Sequence, residues 1–254
     1  MQIYDLTDKN ILITGSSRGI GAEIAIIAAK HGANVIINYR SKEKRAEKVA
    51  NTLTNLGAKT VLTRADLTNT EDLDSSFKLI KKNFNKLDIL ILNASGGLEK
   101  GKDPDYAMQL NRDAQLEVIK RSLELMPEHG KIVFVTSHLA HFFGEKPIIP
   151  GYEAVAKSKK AGETAIRALI PTLEKRKIKV IVVSGDLIEG TITPKLFERV
   201  SPGLIDRRRE QVGSLPTTYE FANAIVAAAS NAELISGSTV YVGATDWDLQ
   251  AALS

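Results

Sequence analysis

The chain has no cysteine among its 254 residues and no hydrophobic run of membrane-spanning length. Without cysteine, disulfide bonds, thiolate metal sites and a cysteine nucleophile are excluded, and we expect no metal site. The first ten residues, MQIYDLTDKN, lack the basic-then-apolar pattern of a signal peptide. The sequence therefore predicts a cytoplasmic protein that is not bound to a membrane.

Neither sign of charge is in large excess. The 34 Lys and Arg residues nearly balance the 30 Asp and Glu residues, which gives a formal net charge of +4. We therefore expect no nucleic-acid partner, although a weak attraction to anionic ligands remains. A hydrophobic content of 43% is ordinary for a globular protein. The length suits one large domain, which we place at residues 1–254.

Apolar runs typical of buried strands alternate with stretches of helical periodicity along the chain. This alternation predicts an α/β fold, namely a single Rossmann-type, doubly wound parallel sheet of about seven strands, in the order 3-2-1-4-5-6-7, with helices on both faces. Residues 186–214, rich in Gly, Pro and charge, form the one irregular stretch and are expected to be a substrate lid. The strand-like runs are Ile11–Thr14, Val35–Tyr39, Thr60–Arg64, Leu87–Asn93, Lys131–Thr136, Ile178–Ser184 and Ser238–Gly243.

A glycine-rich segment, TGSSRGIG at residues 14–21, follows the first predicted strand and opens a helix. Gly15 permits a tight turn, and Gly19 allows a pyrophosphate to approach the backbone. Gly21 allows the helix to pack closely on the sheet. The helix start supplies unpaired N–H groups to the phosphates, so this context predicts a dinucleotide site. The predicted contacts in this segment are Gly15, Ser17, Arg18, Gly19, Ile20 and Gly21.

The end of the second predicted strand lacks the acidic residue that usually binds the ribose 2′-hydroxyl of NAD. The sequence there is NYRSK, with Tyr39, Arg40 and Ser41 as predicted cofactor contacts and no acid before Glu43. Arg40 can pair with a 2′-phosphate through its planar guanidinium, and Arg18 can approach from the glycine-rich turn. We therefore predict NADP(H) as the cofactor.

These motifs and others resemble the short-chain dehydrogenase/reductase family over essentially the whole chain. ADL at residues 65–67 resembles the family's adenine contact, with Asp66 on the amino group and Leu67 against the ring. NASG at residues 93–96 resembles its Asn-Ala-Gly segment, although Ser95 stands where glycine is usual. The cofactor contacts that the resemblance adds are Asp66, Leu67, Asn93, Ala94, Ser95, Gly96, Lys159, Ser184 and Gly185.

The resemblance also assigns catalytic roles. Asn111 in QLNRDAQ matches the family's helix-four asparagine, and Ser137 in VFVTSH matches its serine at the end of strand five. The family's Tyr-x-x-x-Lys pair is altered, because Lys159 stands in the lysine place while Val155 stands in the tyrosine place. Tyr152 lies three residues earlier, which makes the spacing Tyr-x6-Lys.

Helix geometry allows Tyr152 to act with Lys159 despite this spacing. Seven residues make almost two turns, so both side chains share a face, with Cα atoms roughly 10 Å apart. Pro150 and Gly151 favour a position of Tyr152 just before the regular helix. Lys157 is rotated roughly 140° away from Tyr152. We predict that Lys159 binds the nicotinamide ribose and lowers the pKa of the tyrosine.

Three functions remain open. The first is an NADP(H)-dependent carbonyl reductase for a ketone or 3-oxoacyl compound, with Asn111, Ser137, Tyr152 and Lys159 as catalytic residues. The second is a reductase of enoyl thioesters carried by CoA or a carrier protein, because enoyl reductases of this superfamily have the Tyr-x6-Lys spacing. The third is an NADP-binding regulatory protein without turnover.

Three further expectations concern regions outside these motifs. His138 is an alternative proton donor if Tyr152 lies too far away. The charged run DRRRE, residues 206–210, can steer an anionic substrate such as an acyl thioester. The family resemblance suggests a homodimer or homotetramer that assembles through helices four and five, at residues 105–126 and 151–173.

Overall fold

The computed structural model of the protein describes residues 4–99, 101 and 103–246. Within these ranges, seven strands form one parallel sheet in the order β3-β2-β1-β4-β5-β6-β7. The fold class and strand order predicted from the alternating pattern are therefore confirmed. The strands are β1 Asn10–Ile13, β2 Asn34–Tyr39, β3 Thr60–Arg64, β4 Ile89–Leu92, β5 Lys131–Ser137, β6 Lys179–Gly185 and β7 Thr239–Val242.

Helices cover both faces of the sheet. The first, second and last helices contribute to the core cluster on one face, and helices three, five and seven contribute to the cluster on the other. None of the helices in the described ranges is long and apolar enough to cross a membrane. The helices are α1 Gly19–Lys30, α2 Glu43–Asn55, α3 Thr70–Asn83, α4 Tyr106–Met108, α5 Ala114–Ser122, α6 His138–His141, α7 Glu153–Ala168, α8 Ile170–Glu174, α9 Ile192–Val200, α10 Leu204–Val212 and α11 Thr218–Ser230.

The strands are apolar at successive positions because the sheet is covered on both sides. In β1, Ile11 and Ile13 pack into one core cluster, while Leu12 between them packs into the other. All three side chains are buried, since successive residues of a strand point to opposite faces. Because both faces are covered, a ligand can approach the sheet only at the ends of its strands.

A π-helical turn, Gln109–Asp113, lies between α4 and α5. Such a turn accommodates one residue more than a regular helical turn. Asn111 lies within it, buried, with its side-chain Nδ2 donating to the Gly96 carbonyl at 2.8 Å and to Ser158 Oγ at 3.0 Å. The turn therefore ties the segment after β4 to helix α7.

Residues 186–214 contain two helices, so the prediction that this stretch is irregular was wrong. Pro194 is the third residue of α9, where the first turn tolerates proline. Gly203 adopts a left-handed conformation (φ 80°) just before α10. Phe197 and Leu204 bury their side chains in a third core cluster, so the stretch is anchored by apolar contacts.

Candidate cofactor and active site

A cleft of about 1040 Å³ opens along the carboxyl ends of the parallel strands, where ligands bind in doubly wound sheets. It brings together Ser137, Tyr152 and Lys159 of the predicted catalytic residues, but not Asn111. The predicted cofactor contacts that line it are Gly15, Ser17, Arg18, Gly19, Ile20, Gly21, Tyr39, Arg40, Ser41, Asp66, Leu67, Asn93, Ala94, Ser95, Gly96, Lys159 and Gly185. Ser184 is the one predicted cofactor contact that does not.

The start of α1 forms one wall of the cleft. No side chain caps this helix, and its first turn contains no acid, so its N–H groups are available to an anion. Gly21 is required here, because a Cβ at this position would lie 2.6 Å from both Asn93 Nδ2 and the Gly15 carbonyl oxygen. Asn93 Nδ2 also donates to the Thr14 carbonyl at 3.0 Å, which joins the turn to the end of β4.

Cations gather at the end of the cleft beyond β2. The Arg40 guanidinium donates a hydrogen bond to the Tyr106 hydroxyl of α4. The first acid after β2, Glu43, accepts a 2.9 Å hydrogen bond from the Tyr39 hydroxyl and does not line the cleft. Two further cations that sequence analysis did not identify line this end, Lys42 and Arg45. This basic end, with α1 beside it, fits the 2′-phosphate and pyrophosphate of NADP(H).

The adenine contact predicted at Asp66 follows β3, the strand next to β2, and lines the cleft. Its Oδ1 accepts hydrogen bonds from the Thr68 backbone N–H at 3.1 Å and from Thr68 Oγ1 at 2.7 Å. This local turn holds the carboxylate at the cleft, and Leu67 lines the cleft beside it. No group of three His, Asp or Glu side chains within the described ranges is placed to hold a metal ion.

Tyr152 lies immediately before α7, as Pro150 and Gly151 suggested. Its side chain is buried, and its ring packs edge-on against Phe197 with the ring centroids 5.1 Å apart. Burial raises the pKa of Tyr152, and hydrogen bonding from the Ser137 side chain opposes this only in part. This direction is opposite to the lowering by Lys159 that the sequence suggested, because burial outweighs the groups that lower this pKa. The phenol keeps its proton, which suits a proton donor.

Lys159 reaches the same cleft from the buried face of α7. Burial lowers its pKa to about 8, and the charge of Glu163, one turn further along, acts in the opposite direction. Glu163 is itself buried, and it accepts from Arg167 Nε at 2.8 Å and contacts His141 Nδ1 at 2.9 Å. Lys157 is exposed and does not line the cleft, as its helical position predicted.

Two predicted site residues lie outside the cleft. Asn111 lies behind it, because the π-helical turn directs its amide at Gly96 and Ser158. The Ser184 hydroxyl is buried and lies 2.7 Å from His138 Nδ1. Burial, reinforced by nearby cations, lowers the pKa of His138 to about 4, so its ring is neutral at neutral pH and is a poor proton donor.

The charged run at residues 206–210 does not line the cleft. Arg208 forms a buried ion pair with Asp186 at 2.8 Å, and Arg209 pairs with Glu189 at 2.8 Å. The cleft instead receives one face of α9, which sequence analysis missed because it treated the stretch as irregular. Amphipathic spacing is the signal that identifies this face, whose residues are Ile192, Lys195, Leu196 and Arg199.

Comparison with known proteins agrees with this geometry. A family profile described as "Enoyl-(Acyl carrier protein) reductase" matches residues 15–244. The hydroxynaphthalene reductase-like protein Arp2 of Metarhizium robertsii is 32% identical over 185 residues, which are 70% of this chain and 68% of that protein.

Two similar solved structures contain NADP. The angucycline C-6 ketoreductase LanV is 27% identical with a TM-score of 0.78, and the alignment covers 95% of this chain and 97% of that one. A short chain dehydrogenase from Burkholderia cenocepacia J2315 is 26% identical with a TM-score of 0.81, covering 94% of this chain and 98% of that one.

Proposed function

The chain belongs to the short-chain dehydrogenase/reductase family, and we propose that it is an NADPH-dependent carbonyl reductase. The observation that carries this proposal is the meeting of Ser137, Tyr152 and Lys159 in one cleft whose far end is basic. The reductase and ketoreductase names of its relatives, two of which bind NADP, support the same reaction class.

NADPH, when bound, supplies the hydride that reduces the carbonyl carbon. The Ser137 and Tyr152 side chains are within hydrogen-bonding distance of each other and both line the cleft, so both hydroxyls can bind the carbonyl oxygen. Tyr152 then gives its proton to this oxygen as negative charge develops there. Lys159 binds the ribose hydroxyls with its ammonium, and Arg40 and Arg18 hold the 2′-phosphate.

Asn111 acts in this proposal as a positioning residue, because its side chain does not reach the cleft. Its amide holds Gly96, a cofactor contact, through two hydrogen bonds of 2.8 and 3.2 Å. It also holds Ser158, which directly precedes Lys159. Asn111 therefore fixes two walls of the cleft relative to each other.

A second candidate function is the reduction of an enoyl thioester. The description of the matching family profile favours it, as does the distance in sequence between Tyr152 and Lys159. In that reaction hydride transfer to the β carbon produces an enolate, and Tyr152 donates its proton to this enolate. A non-catalytic, NADP-binding role is less well supported, because Tyr152 remains beside Ser137 in the cleft.

The proposal extends to assembly and location. Residues 186–214 are proposed to act as a lid, since α9 lines the cleft. We also propose a homodimer or homotetramer that assembles through residues 105–126 and 151–173, and a cytoplasmic location. Sedimentation velocity of the purified protein tests the assembly, and a monomer at micromolar concentration would contradict it.

Substitution of Tyr152 by Phe tests the function. We expect turnover to fall by roughly 10² or more with NADPH affinity retained, because only the proton donor is lost. Ketones, 3-oxoacyl thioesters and 2-enoyl thioesters form the substrate panel, and nicotinamide absorbance is the readout. Lys157→Ala is the control, because this exposed lysine on the same helix does not line the cleft. Full activity of Tyr152→Phe, or turnover of enoyl thioesters alone, would contradict the carbonyl reductase.

A further inference from the structure

Helix α9, whose Phe197 packs against Tyr152, carries two cations that line the cleft. Lys195 and Arg199 are four residues apart, so they lie one turn from each other on one face, and both line the cleft. Phe197, on the same helix, packs its ring against that of Tyr152. The two cations lie on another face of this helix from Phe197, but they line the same cleft as the proposed proton donor. They are on a different element from Arg18 and Arg40, which serve the cofactor.

Within the described ranges, no acid neutralises these cations, because neither forms an ion pair. The acids of the surrounding segment have other partners. Asp186 and Glu189 pair with arginines of α10, and the Glu198 carboxylate accepts hydrogen bonds from the Gly203 and Ile205 backbone N–H groups. The cleft face of α9 therefore carries two positive charges that a ligand can neutralise.

Apolar side chains accompany the two cations. Ile192 and Leu196 line the cleft on the same face of α9, and Ile192 is 56% exposed. A face with this alternation of apolar and cationic side chains is complementary to a molecule with an apolar body and an anionic group.

We propose that Lys195 and Arg199 bind an anionic group of the carbonyl substrate, a carboxylate or a phosphate. The proposal rests on the proposed function, because it places the reacting carbonyl at Tyr152. Arg199 can bind either group through two N–H donors, and Lys195 adds a point charge. The anion is either the carboxylate of a free oxo acid or a phosphate of a coenzyme A thioester.

The NADP⁺-loaded protein provides a static test, since NADP⁺ cannot reduce an oxo compound. Calorimetric titration with 3-oxobutanoate, 3-oxobutanoyl-CoA and the neutral ethyl 3-oxobutanoate measures affinity without turnover. We expect the double substitution Lys195→Gln with Arg199→Gln to weaken at least one anionic probe about tenfold and leave the ester unchanged. If only 3-oxobutanoyl-CoA loses affinity, the bound anion is a phosphate of coenzyme A. If only 3-oxobutanoate loses affinity, the bound anion is its carboxylate.

A matched control separates a local effect from a change of net charge. Lys78 and Lys82 are exposed, four residues apart on α3, and away from the cleft. Replacing both by Gln removes the same charge at the same spacing and should leave all three affinities unchanged. An equal loss of affinity for the anionic probes in this control would overturn the proposal. Failure of both anionic probes to bind the wild type would also overturn it.

The affinity of the double variant for NADPH shows whether Lys195 and Arg199 bind the substrate or the cofactor. If the double substitution weakens NADPH binding and anionic probes equally, the cations serve the cofactor and the proposal fails. Reduction of ethyl 3-oxobutanoate by the wild type tests the proposed function separately, because this ester carries no anion. Turnover of the ester with unchanged affinities in the α9 variant would overturn the anion site alone.

Discussion

The Arg40 guanidinium donates a hydrogen bond to the Tyr106 hydroxyl and thereby joins the end of β2 to α4. Tyr106 is buried, so its ring is fixed by the surrounding core. A guanidinium held in this way loses less conformational freedom when it pairs with a phosphate. Tyr106 is therefore expected to contribute to cofactor choice through Arg40.

We expect NADPH to bind at least about tenfold more tightly than NADH, because a charge-assisted pair contributes roughly 1.5 to 3 kcal/mol. Arg40→Asp should reverse this order. Tyr106→Phe should reduce the preference by about fivefold, since one hydrogen bond of roughly 1 kcal/mol is lost, while NADH affinity stays the same. Fluorescence titration of the wild type and both variants with each cofactor measures all six affinities. Equal binding of both cofactors by the wild type would contradict the role of Arg40.

The affinity for NADPH should fall as the pH rises through about 8, because Lys159 loses its charge there. Glu163→Gln removes the negative charge that raises the pKa of Lys159, so the fall should move to lower pH. Lys159→Met should abolish this pH dependence and weaken binding at neutral pH. Titrations across the range provide the measurement, and an unchanged profile in Glu163→Gln would show that the two groups are not coupled.

Reduction and oxidation should differ in their response to pH. Burial raises the pKa of Tyr152, so the phenol remains protonated at neutral pH and can donate to a carbonyl oxygen. Oxidation of the product alcohol by NADP⁺ requires the phenolate as a base. Its rate should therefore increase with pH as long as the protein stays folded. Initial rates in both directions test this, and an oxidation rate that levels off near neutral pH would refute it.

The ion pair of Asp186 with Arg208 should matter for stability, because both side chains are almost completely buried. Asp186→Asn removes the buried, nearer carboxylate that pairs with the guanidinium, so we expect a loss of about 3 kcal/mol and a Tm lower by roughly 6 to 12 °C. Thermal unfolding monitored by circular dichroism measures the change. Glu189→Gln, at the exposed pair with Arg209, is the control and should cost at most about 1 kcal/mol. Similar losses in both variants would contradict this account.

Local patterns were sufficient to predict the sheet and most of the cofactor cleft. The parallel sheet followed from alternation along the chain, its strand order from the Rossmann type of doubly wound sheet, and the glycine-rich turn depends on residues close in sequence. At the end of β6, Gly185 lines the cleft and Ser184 does not, because the Ser184 side chain is buried against His138. That contact joins residues 46 positions apart, so the residues around Ser184 do not reveal it.

The remaining features depend on contacts between distant parts of the chain. Arg208 belongs to a charged run typical of a solvated surface. Its burial depends on distant partners, namely Asp186, 22 residues away, and the Ala244 and Asp246 carbonyl groups. The raised pKa of Tyr152 follows from burial in a cluster with Phe197 and other residues of the 186–214 stretch, which no motif records. The direction of the Asn111 amide depends on a π-helical turn that residue types do not reveal.

Backbone contact at Gly162 makes the length of one segment a determinant of the site. A Cβ at residue 162 would lie 2.1 Å from the Asn111 carbonyl oxygen, so α7 and the π-helical turn touch without intervening side chains. Deleting one residue between Tyr106 and Asn111 would rotate Tyr106 by about 100° relative to that contact. The phenol would then leave Arg40. Insertions and deletions there are therefore expected to alter cofactor choice as much as replacing Tyr106.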